Sequence, residues 1–512
     1  MDLSDLIARN AAFTPDRPAI RFEGATLSYA VFNARIEATA KALKAECHVG
    51  RGDRVAILSL NRPDYLVLLY ACARLGAMLV PLNWRLAVAE QMFILADASV
   101  KVLVLEQAFA AILPALANEL PDTRIIALDF SPPAPARTFE ALLATASGDG
   151  RNPHTDLTCP LLIVYTSGTT GRPKGAVLRQ EALLWNGIMS QHMHGLTSDD
   201  HVLTVLPFFH VGGLNIQTTP ALHIGATVTI HARFTPDSTL SAITHQRPTL
   251  TVWVPAIIQA MTEHPAWAAA DVVCLKAVST GSQIVPPHLI ARLSARGIPV
   301  LQVYGSTETC PISIYTRLGG DLSRTGSTGL PGLCCEAMIV DDSGTELPTG
   351  TAGEIAVRGP NVFFEYWGNE AATSEALHDG WYRTGDIGTR DADGYFWVHD
   401  RKKNMIISGG ENIYPAEVER VLLEHPDVAE VGVVGLPDPK WTEVPVAYVI
   451  RRPDGSVTAE ALRAHVLTQL ARFKVPRDIV FVTELPRTAL GKVQHFKLKQ
   501  DQAATPIDGE SH

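Results

Sequence analysis

The sequence predicts an α/β protein: a large N-terminal domain of layered βαβ sheets ending in a small β-barrel-like subdomain, then a small α+β C-terminal domain. Three observations predict it. From residue 20 to about 310 of the 512, short β-rich runs alternate with longer amphipathic ones, which argues layered, largely parallel sheets. Between about 326 and 398 the texture changes to short strands dense in Gly and Pro. After the charged cluster Asp400-Arg401-Lys402-Lys403 it changes again, to a mixed α+β unit of about 100 residues, within the usual domain range.

Taken in order, Arg54-Val55-Ala56-Ile57-Leu58 reads as a strand and Asp64 to Arg74 as a helix. The most apolar long stretch, Leu66 to Leu82, contains Arg74 and Gly76 and ends near Pro81, so it suits a helix, a turn and a strand rather than a membrane span. Pro132 to Pro135 and the polar, Gly-containing stretch from Ser147 to Asp156 read as a surface connection between two sub-lobes, leading to the strand Leu161-Leu162-Ile163-Val164. Glu354 to Val357 and Gly394 to Val398 are strands of the subdomain. The last unit reads as a helix near Ala416 to Glu424, strands near Ala429 to Val434 and Val444 to Ile450, a helix near Thr458 to Leu470, a strand near Ile479 to Val482, and a frayed tail after Lys499.

Composition excludes several classes. Lys and Arg total 43 against 53 Asp and Glu, a formal charge of −10 without a basic face, which disfavours a nucleic-acid binder. With 46% hydrophobic and 19% charged residues the chain can bury a sizeable core. Its seven cysteines are scattered without CxxC spacing, as expected of small buried hydrophobes in a reducing compartment. The N-terminus is acidic where a secretory signal would be basic, and a cytoplasmic location is expected.

The strongest chemical signal is Tyr165-Thr166-Ser167-Gly168-Thr169-Thr170-Gly171-Arg172-Pro173-Lys174-Gly175, directly after an apolar strand. Glycines let the backbone approach closely, hydroxyls donate, and a lysine adds a point charge, which together suit a polyphosphate. It is not a Walker loop, because four residues after Gly168 the chain has Pro173 where that motif needs Gly-Lys.

With this run, six further segments follow in order: Leu206-Pro207-Phe208-Phe209-His210, Tyr304-Gly305-Ser306-Thr307-Glu308, Gly380 to Asp386, Asp400 to Lys403, Ser408-Gly409-Gly410-Glu411-Asn412, and Pro486 to Lys492. Together they make the chain resemble the acyl-adenylate-forming superfamily, in its fatty-acyl and aryl-CoA ligase branch, over nearly its whole length. The resemblance implies that a carboxylate is joined to the α-phosphate of ATP with release of pyrophosphate, and that a thiol then attacks the acyl-adenylate. ATP, Mg²⁺ and CoA are the implied cofactors and co-substrates. The implied division is 1–399, a hinge at 400–403 and a mobile domain over 404–512.

The resemblance also implies site residues. Lys492 would offset charge where carboxylate and α-phosphate meet. Glu308 would bind Mg²⁺ with Thr166 as a supporting oxygen. Thr166, Ser167, Gly168, Thr169, Thr170, Gly171, Lys174 and Thr307 would hold phosphates, and Tyr304 would stack on adenine beside Gly281, Ser282 and Gly305. Asp386 would bind the ribose hydroxyls and Arg401 the ribose and phosphate. Lys403 would be the hinge about which the C-terminal domain swings, removing Lys492 and bringing in Gly409 and Gly410 for the pantetheine. The sequence departs from the family's pattern in Val278 to Gln283, where a Gly-Ala or Gly-Gly-Ala segment is common and Ser282 and Gln283 add polarity, at Thr442, where Gly is usual, and at His495, where Arg is common.

His210 would separate an apolar acyl tunnel from the reaction centre, with Val211, Gly212, Asn215, Gly305 and Cys310 around the acyl group. Amino-acid adenylating domains usually carry Asp where His210 stands, which excludes that subfamily. Aromatic-acid ligases of the plant type often carry Tyr where Gly212 stands, so the pocket is roomier here. None of these positions is Lys or Arg, which disfavours a dicarboxylate. The expected substrate is a medium- to long-chain fatty or aryl monocarboxylate. Two alternatives stay open, an enzyme loading a carrier-protein pantetheine thiol, and a non-catalytic acyl-adenylate or CoA binder, against which intact Lys492 and Glu308 argue. The expected partners are small molecules alone, with no nucleic acid and no membrane span, and a homodimer is compatible with the sequence.

Overall fold

The computed structural model describes residues 1–503 apart from 133–135, 167–172, 282–284, 325, 409–410, 440 and 488–491, and it leaves aside the side chains of 412 and 501–503. The chain divides into two compact units, one of residues 1–337 and 357–383, the other of 338–356 and 384–512. The architecture is α/β with layered sheets and a separate small C-terminal unit, as the sequence predicts.

In the first unit, a nine-stranded sheet has a parallel centre ordered Val300–Tyr304, Ala277–Gly281, Leu250–Val252, His201–Thr204, Thr227–Ile230, Pro18–Phe22. Antiparallel strands flank it, Ile314–Tyr315 and Leu330–Pro331 on one side and Ala25–Ser28 on the other. An eight-stranded sheet runs Glu365–Tyr366, Lys174–Arg179, Pro160–Thr166, Met78–Pro81, Arg54–Leu58, Val102–Leu105, Arg124–Ala127, Arg137–Thr138. Its strands Met78–Pro81 and Val102–Leu105 are apolar and buried at every position, the mark of parallel strands covered on both faces.

The apolar stretch near residue 70 folds as expected. Pro63 opens a helix over Pro63–Leu75, Gly76 at φ 69° ends it, and the strand Met78–Pro81 follows. The helix is buried along its length, and Asn152 Nδ2 donates to the Leu75 carbonyl at 3.2 Å. The stretch from 147 to 156 does not separate two sub-lobes: the strands on either side of it, Arg124–Ala127 and Pro160–Thr166, lie in one sheet. A sheet continues across such an insertion because strand order, not chain order, decides who pairs.

In the second unit, Asp386 to Arg390 pair antiparallel with the strand Phe396–Arg401. A five-stranded sheet is built on the long hairpin Val428–Asp438 and Thr442–Arg451, with Ile406–Ser408, Glu411–Ile413 and the parallel strand Asp478–Phe481. Helices Pro415–Leu423 and Ala459–Leu467 cover its core of Val418, Val421, Leu422, Val433, Val449, Leu462 and Val466. A helix over His495–Ala503 runs four residues into the tail expected to fray after Lys499, and 504–512 lie outside the described residues. Leu498 anchors it in a cluster with Val434, Val446, Tyr448 and Leu485. The seven cysteines are free thiols.

Candidate active site

In the first unit, Thr166 ends strand Pro160–Thr166 and lies directly across the antiparallel pair from Lys174, which begins the next strand. Thr166 Oγ1 lies 3.5 Å from the Lys174 carbonyl oxygen. A hairpin therefore carries a hydroxyl and an ammonium at the two ends of its connection. Gly175 is required there, since a Cβ on it would come within 2.7 Å of Ile163 Cγ2 and 3.0 Å of the Tyr165 ring. Ser167, Gly168, Thr169, Thr170 and Gly171 lie outside the described residues, as do Ser282, Gly409 and Gly410.

Gly281 ends strand Ala277–Gly281 and pairs with Val303, whose carbonyl oxygen would sit 2.2 Å from any Cβ. Gly305 follows strand Val300–Tyr304 and is tighter still, 1.7 Å from Pro311 O. Backbone thus packs closely on backbone where Tyr304 leads into the turn Thr307–Thr309. Thr309 Oγ1 accepts from Ser306 N at 2.9 Å and fixes that turn. Thr307 and Glu308 within it are both buried, Glu308 to 7% exposure. Phe363 N donates to the Glu308 carbonyl at 2.7 Å, and the Tyr366 hydroxyl donates to Glu308 Oε1 at 2.8 Å.

The donor set suits Mg²⁺. Among the described residues no group of three or more His, Cys, Asp or Glu surrounds a common point. One buried carboxylate with one oxygen already engaged matches an ion that keeps most of its coordination sphere for water and phosphate.

His210 caps the short helix Val211–Asn215, its Nδ1 accepting from Gly212 N at 3.1 Å. Gly213 has no room for a side chain, since Pro207 O would lie 2.4 Å from a methyl group placed there, whereas at Gly212 the nearest atom is His210 Nδ1 at 3.2 Å. Asn215 is fully buried and its Nδ2 lies 3.5 Å from Cys310 Sγ, so Asn215 and Cys310 do come together. Asn186 bridges the same two segments, donating to Asn215 O at 2.6 Å and accepting from Ile312 N at 3.1 Å. Burial holds the Cys310 thiol far above its ordinary pKa, so it stays protonated.

Beneath this segment lies a buried polar relay that sequence reasoning missed. His194 Nδ1 is 2.7 Å from the Ser190 carbonyl, which makes it the donor nitrogen, and Nε2 accepts from the Ser279 hydroxyl at 2.8 Å. Ser279 Oγ accepts in turn from Gln217 Nε2 at 3.2 Å. Burial pushes His194 down to about 4, so the ring stays neutral. The four residues are scattered from Ser190 to Ser279, and no local pattern marks them.

The second unit carries Asp386, Arg401, Lys403 and Lys492. Asp386 and Arg401 stand opposite each other on adjacent strands, and Arg401 Nε lies 2.7 Å from Asp386 Oδ1. Lys492 is pushed down to about 8, first by burial and then by the Arg401 charge, with Asp386 opposing. These three groups therefore share one electrostatic neighbourhood. Lys403 is exposed in the short turn Lys402–Asn404, beside Lys402, whose Nζ pairs with Asp342 at 2.6 Å and Glu354 at 3.3 Å.

The family model for AMP-binding enzymes matches residues 7–367, and that for the AMP-binding enzyme C-terminal domain matches 417–492. The chain is 49% identical to an indoleacetate–CoA ligase of Aromatoleum aromaticum over 98% of both chains. It is 40% identical to a feruloyl-CoA synthase of an Amycolatopsis species, over 95% of this chain and 96% of that one. The crystal structure of an anthranilate CoA ligase in complex with anthranoyl-AMP superposes with a TM-score of 0.91 at 26% identity, covering 99% of this chain and 98% of that one. The chain belongs to the AMP-binding enzyme family, in the acyl- and aryl-CoA ligase branch of the adenylate-forming superfamily. It is accordingly an enzyme, an AMP-forming acid–thiol ligase. Among the described residues, no helix is long and apolar enough to cross a membrane.

Proposed function

We propose that this ligase activates an aromatic monocarboxylate. The observation that carries this reading is the 49% identity, end to end, with a ligase named for an arylacetic acid. Gly212 after His210 supports it, since the side chain it lacks leaves width beside His210 for a flat ring. No Lys or Arg stands among His210, Val211, Gly212, Asn215, Gly305 and Cys310 to pair a second buried carboxylate. The same identity with an arylacetic-acid ligase makes a fatty acid the weaker substrate.

In the first half-reaction a carboxylate oxygen of the acid attacks the α-phosphorus of ATP, and the bond to pyrophosphate breaks. Thr166, Lys174, Thr307 and the run from Ser167 to Gly171 hold the phosphates, while Tyr304, Gly281, Ser282 and Gly305 border adenine. Asp386 and Arg401 bind the ribose. Glu308, supported by Thr166, would hold Mg²⁺, which when bound would neutralise phosphate charge. Lys492 offsets the two anions as they meet. In the second half-reaction the CoA sulfur attacks the acyl carbon and AMP leaves, with Gly409 and Gly410 passing the pantetheine. Lys403, within the hinge at 400–403, is the pivot between the two steps, with 1–399 and 404–512 on either side.

The test is pyrophosphate release with ATP and Mg²⁺ across arylacetic, hydroxycinnamic, aminobenzoic, fatty and dicarboxylic acids, each with and without CoA. A CoA-stimulated response confined to aryl monocarboxylates is expected. A preference for fatty acids rejects the substrate class, and release indifferent to CoA points to a carrier-protein thiol.

A further inference from the structure

Tyr366 lies outside every segment that the phosphate chemistry draws on, yet it touches two of them. It sits in the two-residue strand Glu365–Tyr366, which pairs antiparallel with Lys174–Arg179 so that Tyr366 faces Ala176. That register brings its ring beneath Lys174, whose Nζ is 5.3 Å from the ring centroid, within cation–π range. Its hydroxyl reaches the other way and donates to Glu308 Oε1 at 2.8 Å, 58 positions away in sequence.

The anchoring is firm at each end. Tyr366 is buried, its backbone N–H donates to Thr373 Oγ1 at 2.9 Å, and its ring packs on Phe363 at 4.7 Å between centroids. Phe363 N holds the Glu308 backbone carbonyl at 2.7 Å. One short segment, from Phe363 to Tyr366, therefore grips Glu308 twice, at the main chain and at the carboxylate. A carboxylate on a short turn has several side-chain torsions to fix, and a hydrogen bond to one oxygen fixes where the other points.

We infer that Tyr366 is a positioning residue for adenylation: its hydroxyl aims the Glu308 carboxylate at the metal–nucleotide complex, and its ring sets Lys174 toward the phosphates. The inference rests on the metal-binding role proposed above for Glu308 and adds the residue that orients it. The two contacts are separable, because Tyr366→Phe removes the hydroxyl and keeps the ring, whereas Tyr366→Leu removes both.

The experiment measures Mn²⁺ binding to the enzyme–ATP complex by electron paramagnetic resonance, and metal-free ATP binding by calorimetry, for wild type, Y366F, Y366L, E308Q and the double variant Y366F/E308Q. Thioester formation from supplied acyl-adenylate and CoA serves as the folding control. Y366F is expected to weaken Mn²⁺ binding about tenfold, to leave metal-free ATP binding unchanged, and to add nothing in the E308Q background. Y366L is expected to weaken metal-free ATP binding as well. The inference is overturned if Y366F binds Mn²⁺ like wild type while E308Q does not, if the two changes add in full, or if Y366F loses the thioester step equally. E308Q binding Mn²⁺ like wild type removes the metal role of Glu308, and the inference with it.

Discussion

Arg401 Nε stands 2.7 Å from Asp386 Oδ1, on directly opposed positions of two antiparallel strands. The carboxylate proposed for the ribose is thus already held by the guanidinium proposed beside it. Charge-assisted hydrogen bonds of this kind are worth about 1.5–3 kcal/mol. Asp386→Asn is expected to weaken AMP binding by about one to two orders of magnitude, read by calorimetry. Undiminished affinity would remove Asp386 from the nucleotide site.

In the charge-offsetting role proposed for it Lys492 must be protonated, and its pKa is depressed to about 8. The rate constant kcat/KM for ATP–pyrophosphate exchange reports the free enzyme. It is expected to be flat below that value and to fall as pH rises through it. Lys492→Arg should move the falling limb upward out of range. Lys492→Ala should cripple exchange while still converting supplied acyl-adenylate and CoA to thioester, and equal loss of both steps would contradict the assignment. Lys403→Pro should slow the alternation between steps, and unchanged rates would count against the pivot.

His495 pairs with Glu419 at 2.8 Å, and Glu419 Oε1 also accepts from Val433 N at 2.8 Å. Burial alone would lower the imidazole pKa, but the hydrogen bond and charge of Glu419 prevail and raise it above 6.5. A raised folded value means that the pair's stabilisation is complete below the ordinary histidine range. It is lost as pH rises through the folded pKa. The denaturation midpoint of the second unit should decline across that window, and His495→Gln should flatten the decline. An NMR titration placing His495 at or below 6.5 would refute the argument.

Thr442, where the family pattern usually has glycine, sits at φ 73°, in the left-handed region. A β-branched residue there is strained by about 1–2 kcal/mol, part of which glycine's greater unfolded-state freedom offsets. Thr442→Gly should stabilise the chain by about 1 kcal/mol, measured by urea denaturation.

The neighbours Gly212 and Gly213 should answer the same change in opposite ways. Alanine at 212 meets His210 Nδ1 at 3.2 Å as its nearest atom, and the variant should fold while losing turnover with wider aryl acids. Alanine at 213 runs into backbone oxygens at 2.4 and 2.6 Å and should lose soluble expression or activity altogether. Comparing kcat/KM over acids of graded width checks both.

Much of the fold is legible because its strands announce themselves locally: Val102–Leu105 is a continuous apolar run, and Gly76 marks the end of its helix. Residues whose neighbours follow in the chain, such as His210 with Gly212, can likewise be proposed from a motif. Tyr366 cannot, since its strand is two residues long and its partner Glu308 is distant in sequence. The relay of His194, Ser279 and Gln217 is hidden for the same reason, since a helix, a turn and a strand far apart in the chain supply its members. The helical start of the tail, up to Ala503, reads as frayed because its polar composition outweighs one apolar anchor, Leu498.

The grouping of residues 338–356 with 384–512 bears on how relatives can be recombined. A gene chimera spliced at the charged cluster near residue 400 would join a foreign C-terminal sheet to resident copies of 338–356 and 384–399, and would cut strand Phe396–Arg401 near its end. Faithful transplantation of the smaller unit requires two inserts from the same donor, one internal and one terminal.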